Sequence, residues 1–246
     1  ELEPSLGQIS SKLCGSVYFP EDMCGDAHQF SKILKTKCKK NGVEFFFNTK
    51  VQGLARENKK LSGVIVKDQH FPCDICVVTA GNGSKGLLKN VNLPISVEPV
   101  KGYSVTIPME QWKYQPKIPI IDEQKHAAVC PLGNSLRVAG TAEFAGENKT
   151  LTHERLVNLI NICCSLFPEE RINSDVFENR PWCGFRPMTP DGVGIVGDTP
   201  IDGLYVNTGH GHLGWTMALG SSKMLASVVN NSECPINIAD YSYNRF

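Results

Sequence analysis

Apolar residues along this chain change their period several times, and each change marks an element. Phe30, Ile33, Leu34 and Cys38 recur at helical spacing behind Asp26, whose carboxylate suits the first free N–H groups, and Asn41-Gly42 ends the run; a helix is predicted there. The stretch "VEFFFNTKVQGLARENKKLSGVIVKD", residues 43–68, reads as two strands, a charged turn around Asn58-Lys59-Lys60, and a third strand. "FPCDICVVTAGNGS" is a further strand, almost continuously apolar from Ile75 to Ala80, as expected of a strand covered on both faces. From Pro94 to about Glu143, extended segments alternate with prolines and a "PLGNS" turn, which predicts a mostly antiparallel sheet. Leu156, Leu159, Ile160, Cys163 and Phe167 then mark a helix closed by Pro168, and "DVFENRPWCGF" reads as strand again. The last unit is strand "GLYVNTG", turn "HGHLG" and a helix from Trp215 to about Asn230.

These elements predict a mixed α+β (α/β) fold in two discontinuous domains. Residues 20–92 and 190–232 form α/β material, 1–19 and 93–189 form a sheet-rich domain, and 233–246 are a C-terminal tail.

Composition narrows the classes. The 246 residues are 41% hydrophobic, enough for a sizeable core. Lys+Arg and Asp+Glu are both 25, and no basic block stands out, so nucleic acid is not an expected partner. No apolar run reaches the roughly 18 residues a bilayer span needs, and "ELEPSLGQIS" lacks the regions of a signal peptide. A start at Glu1 instead of a methionine is expected of a chain that was trimmed, processed or cut from something longer. Ten scattered cysteines fit a reducing cytoplasm better than a disulfide framework, which leaves the sequons at Asn82 and Asn148 without a role.

Four constellations offer chemistry. In "YVNTGHGHLGWTMALGSS" a strand passes through Gly209, Gly211 and Gly214 into a helix, a turn that lets backbone N–H groups and the positive helix end approach a flat or anionic ligand, or that simply reverses the chain tightly. Arg186, stiffened by Pro181 and Pro187, presents a planar fork that suits a carboxylate; the alternative is a structural pair with an acid such as Asp191. Cys73-Asp-Ile-Cys76 is a lone C-x-x-C on a strand, which reads as structural. His210-Gly-His212 lacks a third ligand, so no metal site is expected; either imidazole can still bond a cofactor.

"WCGFRPMTPDGVGIVGDT" followed by "LYVNTGHGHLGWTMALGSSKML" resembles the C-terminal part of the flavin-containing D-amino acid dehydrogenases, in the D-amino acid oxidase and glycine oxidase superfamily. "YFPEDMCGDAHQF", "GVEFFFNTKV", "VEPVKGYSVTIPM" and "SLRVAGTAEF" resemble successive segments of the same family, so the likeness covers nearly the whole chain.

The resemblance implies a two-domain FAD-dependent oxidoreductase with an incomplete FAD-binding domain, 20–92 plus 190–232, and an antiparallel substrate-binding sheet. It also implies a D-amino acid substrate, FAD as cofactor, and a quinone or other electron acceptor, reached from the cytoplasmic face of a membrane; the alternatives are an oxidase of the same superfamily that uses oxygen, and a catalytically incomplete fragment that only binds a ligand or serves a structural role. Arg186 falls where relatives bind the substrate carboxylate, with Tyr103 and His210 as further catalytic candidates. Gly209, Gly211, His212, Leu213, Gly214, Trp215 and Thr216 fall at the flavin, Val51 and Thr79-Ala80-Gly81 along the rest of FAD, and Lys101 in the segment entering the flavin pocket. An aromatic hydroxyl implied near Lys125-His126 is missing. The family's opening strand, G-x-G-x-x-G turn and helix are expected to lie in a missing N-terminal segment of the same protein.

Overall fold

A computed structural model describes residues 2–234 and 236–245. In chain order the elements are α1 (Ala27–Lys40), β1 (Val51–Glu57), β2 (Lys60–Val66), β3 (Gln69–Pro72), β4 (Cys76–Val78), α2 (Gly83–Lys89), β5 (Glu98–Pro108), β6 (Ile120–Asp122), β7 (Ala127–Leu132), β8 (Ser135–Glu143), α3 (His153–Leu166), β9 (Trp182–Met188), β10 (Ile195–Asp198), β11 (Leu204–Thr208) and α4 (Gly214–Val229). They fall into two compact units, 1–41 with 101–184 and 42–100 with 185–246. This division differs from the sequence-based bounds: the segment 20–41 belongs with the sheet-rich unit, and the tail after 233 packs into the other unit instead of standing apart.

The first unit is built on a five-stranded sheet in the order β6-β7-β8-β5-β9. β8 pairs antiparallel with both β5 and β7, and its alternation turns Leu136 and Val138 inward. α3 lays Leu156, Leu159, Ile160 and Cys163 on this face, and the 3-10 helix Pro4–Lys12 adds Ile9 to the same core. Asp26 caps α1 as its sequence predicts, its Oδ1 accepting from His28 N at 2.9 Å and Gln29 N at 3.0 Å. Yet no α1 residue is buried, and Ile33 is 58% exposed. "DVFENRPWCGF" becomes strand only from Trp182, because Asp175 Oδ1 closes a turn on Phe177 N at 2.9 Å first.

The second unit holds two three-stranded sheets, β1-β2-β3 and β10-β11-β4. β1 and β2 form the expected hairpin. β3 joins it through Lys67-Asp68, both at positive φ, a hairpin turn without the usual Asn-Gly signature. The strand expected within 43–50 does not form: Val43, Phe46 and Phe47 are exposed, and a strand needs a partner ladder that the described residues do not supply. β4 shrinks to three residues and pairs parallel with β11; Ile75 and Val77 stay exposed instead of covered. Gly203 is fixed by crowding, since a Cβ there would lie 2.4 Å from the Asp74 carbonyl oxygen. β11 turns Leu204 and Val206 toward the core beneath α2, and Tyr205 toward α4, Val196, Met224 and Leu225.

Candidate active site

The parallel register of β11 on β4 brings the C-terminal ends of both strands to one edge of the sheet. Loops at that edge form ligand sites in open α/β sheets. Thr208 ties them together, its hydroxyl donating to Gly81 O at 3.0 Å. The predicted Thr79-Ala80-Gly81 turn and the 209–216 turn are therefore neighbours within one unit, although 127 positions separate the bonded pair.

Gly209 and Gly211 have φ of 78° and 55°, a left-handed backbone that favours glycine. A 3-10 turn, Gly211–Leu213, runs directly into α4, and no side chain caps either start. No acidic residue lies in the first turn of either helix, so the positive helix end meets no carboxylate from its own first turn. His210 stands at this start; its Nε2 is buried with no hydrogen-bond partner among the described residues, and burial pushes its pKa below the usual histidine value, keeping the ring neutral at pH 7. The neighbouring turn also contains buried polar atoms without partners, Asn82 Oδ1 and Ser84 Oγ, and β11 adds Asn207 Oδ1. Leaving such a group unpaired costs roughly 1–3 kcal/mol, a cost that a water or a polar ligand atom would relieve.

Arg186 lies near the end of β9, and its partial burial lowers the pKa of the guanidinium. The end of β9, from Phe185 on, belongs to the second unit; there Met188 bridges to His210 of the glycine turn, and Arg186 lies two residues before Met188, on the same strand face. Met188 Sδ closes on the turn so tightly that a Cβ at Gly211 would lie 2.7 Å away. Asp191, the acid nominated as a structural partner for Arg186, accepts two bonds from Arg245, from Nε at 2.8 Å and Nη2 at 3.3 Å. Sequence reasoning missed Arg245, 54 residues downstream, as it missed Met188 and Thr189.

Tyr103 and Lys101 belong to the first unit, and both are buried. The Tyr103 hydroxyl lies 2.6 Å from Glu143 Oε2 and 3.0 Å from Thr152 Oγ1. Lys101 Nζ donates to Thr150 O, stands 4.8 Å from the Tyr103 ring centroid and 3.6 Å from Glu143 Oε2. Burial opposes the lysine charge, but the Tyr103 oxygen and Glu143 outweigh it and raise the pKa. These contacts join β5, β8 and the start of α3. Val51 opens β1, in the other sheet of the second unit. Cys73 and Cys76 are free, partly buried thiols; burial pushes Cys76 up to about 11.

Across residues 1–228 the sequence matches the family described as FAD dependent oxidoreductase. The chain belongs to this family. A D-amino acid dehydrogenase from Vibrio atlanticus (strain LGP32) is 41% identical over 245 residues, covering 100% of the chain and 58% of the relative. One from Xanthobacter autotrophicus (strain ATCC BAA-1158 / Py2) is 38% identical over 99% of the chain and 58% of the relative. The chain thus spans a little over half the length of these relatives. The fold is similar to glycine oxidase from Geobacillus kaustophilus, with TM-score 0.78 and 22% identity over 89% of this chain and 58% of that one.

An FAD-dependent family sharpens the glycine question. The letters G-x-G-x-x-G occur at Gly81-Gly83-Gly86, Gly192-Gly194-Gly197 and Gly209-Gly211-Gly214. The first follows β4 and opens α2; however, the next strand, β5, belongs to another sheet, so no parallel βαβ unit results. The second leads into β10, and the third follows the last strand. The uncapped helix start and the unpartnered polar atoms beside it are compatible with a polar part of such a cofactor.

Proposed function

We propose that this chain carries the flavin-facing and substrate-facing part of an enzyme that oxidatively deaminates D-amino acids to 2-oxo acids and ammonia. The observation that carries the reading is the convergence of the 79–84 and 209–214 turns, with their unpartnered buried polar atoms, at one sheet edge. The 41% identity to a D-amino acid dehydrogenase supports this substrate class.

FAD, when bound, supplies the acceptor for the hydride that leaves the substrate α-carbon. Arg186 grips the substrate carboxylate through two parallel hydrogen bonds, which fixes both distance and rotation. Neutral His210 offers Nε2 to a polar edge of the cofactor, and the start of α4 favours an oxygen carrying negative charge. Water hydrolyses the resulting imino acid, and the electrons pass to a quinone or another carrier. With no parallel βαβ unit carrying a glycine turn among the described residues, the pyrophosphate lacks its usual grip, so these 246 residues alone bind FAD weakly.

Two measurements test the reading. FAD titrated into the chain, followed by flavin fluorescence, is expected to show binding weaker than micromolar; tighter binding refutes the incomplete grip. In the flavin-loaded protein, D-amino acids without oxygen should bleach the visible flavin band while L-enantiomers do not. Equal bleaching by both, or by neither, overturns the proposed substrate.

A further inference from the structure

We propose that Arg245 is a positioning residue for the glycine turn 209–211 and for the strand end bearing Arg186, acting through Asp191. The turn Thr189–Gly194, between β9 and β10, is the mechanical link. Internally it is braced by Thr189 Oγ1 donating to Val193 O at 2.9 Å and by Val193 N donating to Asp191 Oδ1 at 3.0 Å. Arg245 clasps it from outside: besides its two bonds to the Asp191 carboxylate, Nη2 donates to Val193 O. Its own place is fixed by Nη1 donating to Ser242 O at 3.2 Å, by Tyr243 Oη donating to Pro94 O at 3.2 Å, and by Ile238 and Tyr241 packing beside Val196. Arg245 is only 13% exposed, so its fork is largely shielded from solvent.

The clasped turn in turn defines the space of the glycine turn. A Cβ at Gly209 would lie 2.7 Å from Thr189 Cγ2, and one at Gly194 would lie 2.9 Å from His210 Cδ2. Contacts this close leave little room for one turn to move without the other. The clasp therefore sets where His210 and the glycine backbone stand relative to Met188, and hence relative to Arg186 two residues before it. A two-pronged guanidinium–carboxylate pair specifies orientation as well as distance, which lysine cannot reproduce.

The kinetic part rests on the proposed deamination; the structural part does not. Hydrogen exchange of the purified protein should show, in Arg245→Ala, amides of 189–194 and 209–211 exchanging at least about tenfold faster, with the β1–β2 hairpin unchanged. Tyr243→Phe removes one support of Arg245 but none of the clasp's own bonds, and should speed exchange at 189–194 and 209–211 less than Arg245→Ala does. With flavin bound, Arg245→Ala should raise KM for a D-amino acid about tenfold while kcat changes less, and Arg245→Lys should fall between. Faster exchange confined to 236–245, or spread evenly through the unit, overturns the proposal, as does an unchanged KM in an active enzyme. If the unsubstituted protein does not oxidise D-amino acids, the functional reading fails, and the exchange pattern still decides the clasp.

Discussion

Gly209→Ala is the sharpest test of the glycine turn, because two separate costs can be computed from its surroundings. The first is conformational: at φ of 78° an L side chain is strained by about 1–2 kcal/mol. The second is steric: the new methyl would lie 2.7 Å from Thr189 Cγ2, with Val97 Cγ2 at 3.6 Å and Ile195 N at 3.7 Å behind it, so retreat is blocked. Overpacking of this kind costs about 1–3 kcal/mol, for a total of about 2–5 kcal/mol. Gly81→Ala, in the same unit, provides the reference: its φ is 56°, but nothing lies within 4 Å of the added Cβ, so only the strain of about 1–2 kcal/mol applies. Urea unfolding of both variants, extrapolated linearly to water with slopes compared, measures the difference. Equal penalties would refute the crowding between Thr189 and Gly209, and with it the mechanical link between the two turns.

Arg186→Lys should lower kcat/KM for a D-amino acid by about 100-fold while the flavin spectrum and Tm stay near those of the parent, because lysine keeps the charge but loses the planar fork; a lowered Tm with intact kcat/KM would remove Arg186 from the site. Asp191 is held down to about 2, first by the Arg245 hydrogen bond and also by Val193 N–H, from an ordinary value of 3.8. A depressed folded pKa means stability present above the unfolded pKa and lost as pH falls from about 5 toward 2; screening at this part-exposed group leaves about 1 kcal/mol, which Asp191→Asn should erase from the acid limb of a stability profile. Replacing Cys73 and Cys76 together with serine should leave folding intact and bound zinc at zero; stoichiometric zinc in the parent protein would contradict the structural reading of the pair.

The parts of this protein legible in the sequence are those governed by neighbours a few residues apart. Asp26 caps α1, the charged turn at Asn58-Lys59 joins β1 to β2, the helical spacing of Leu156 to Cys163 makes α3, and the glycine turn leads from β11 into α4. Backbone conformation and hydrophobic period act over that range, so local pattern suffices. It fails where pairing is decided at a distance. "VEFFFNTK" has every strand signal but no ladder, and Ile75 and Val77 look like core but are exposed, Ile75 just before β4 and Val77 within it, while Val78 is buried, because burial depends on which face meets which. For the site, sequence and family likeness nominated Arg186 and the two turns. Only tertiary structure committed Tyr103 and Lys101 to an internal network, joined Thr208 to Gly81, set Met188 against Gly211, and gave Asp191 to an arginine 54 residues away. A carboxylate's partner depends on where folding places the guanidinium, and spacing along the chain carries no record of that distance.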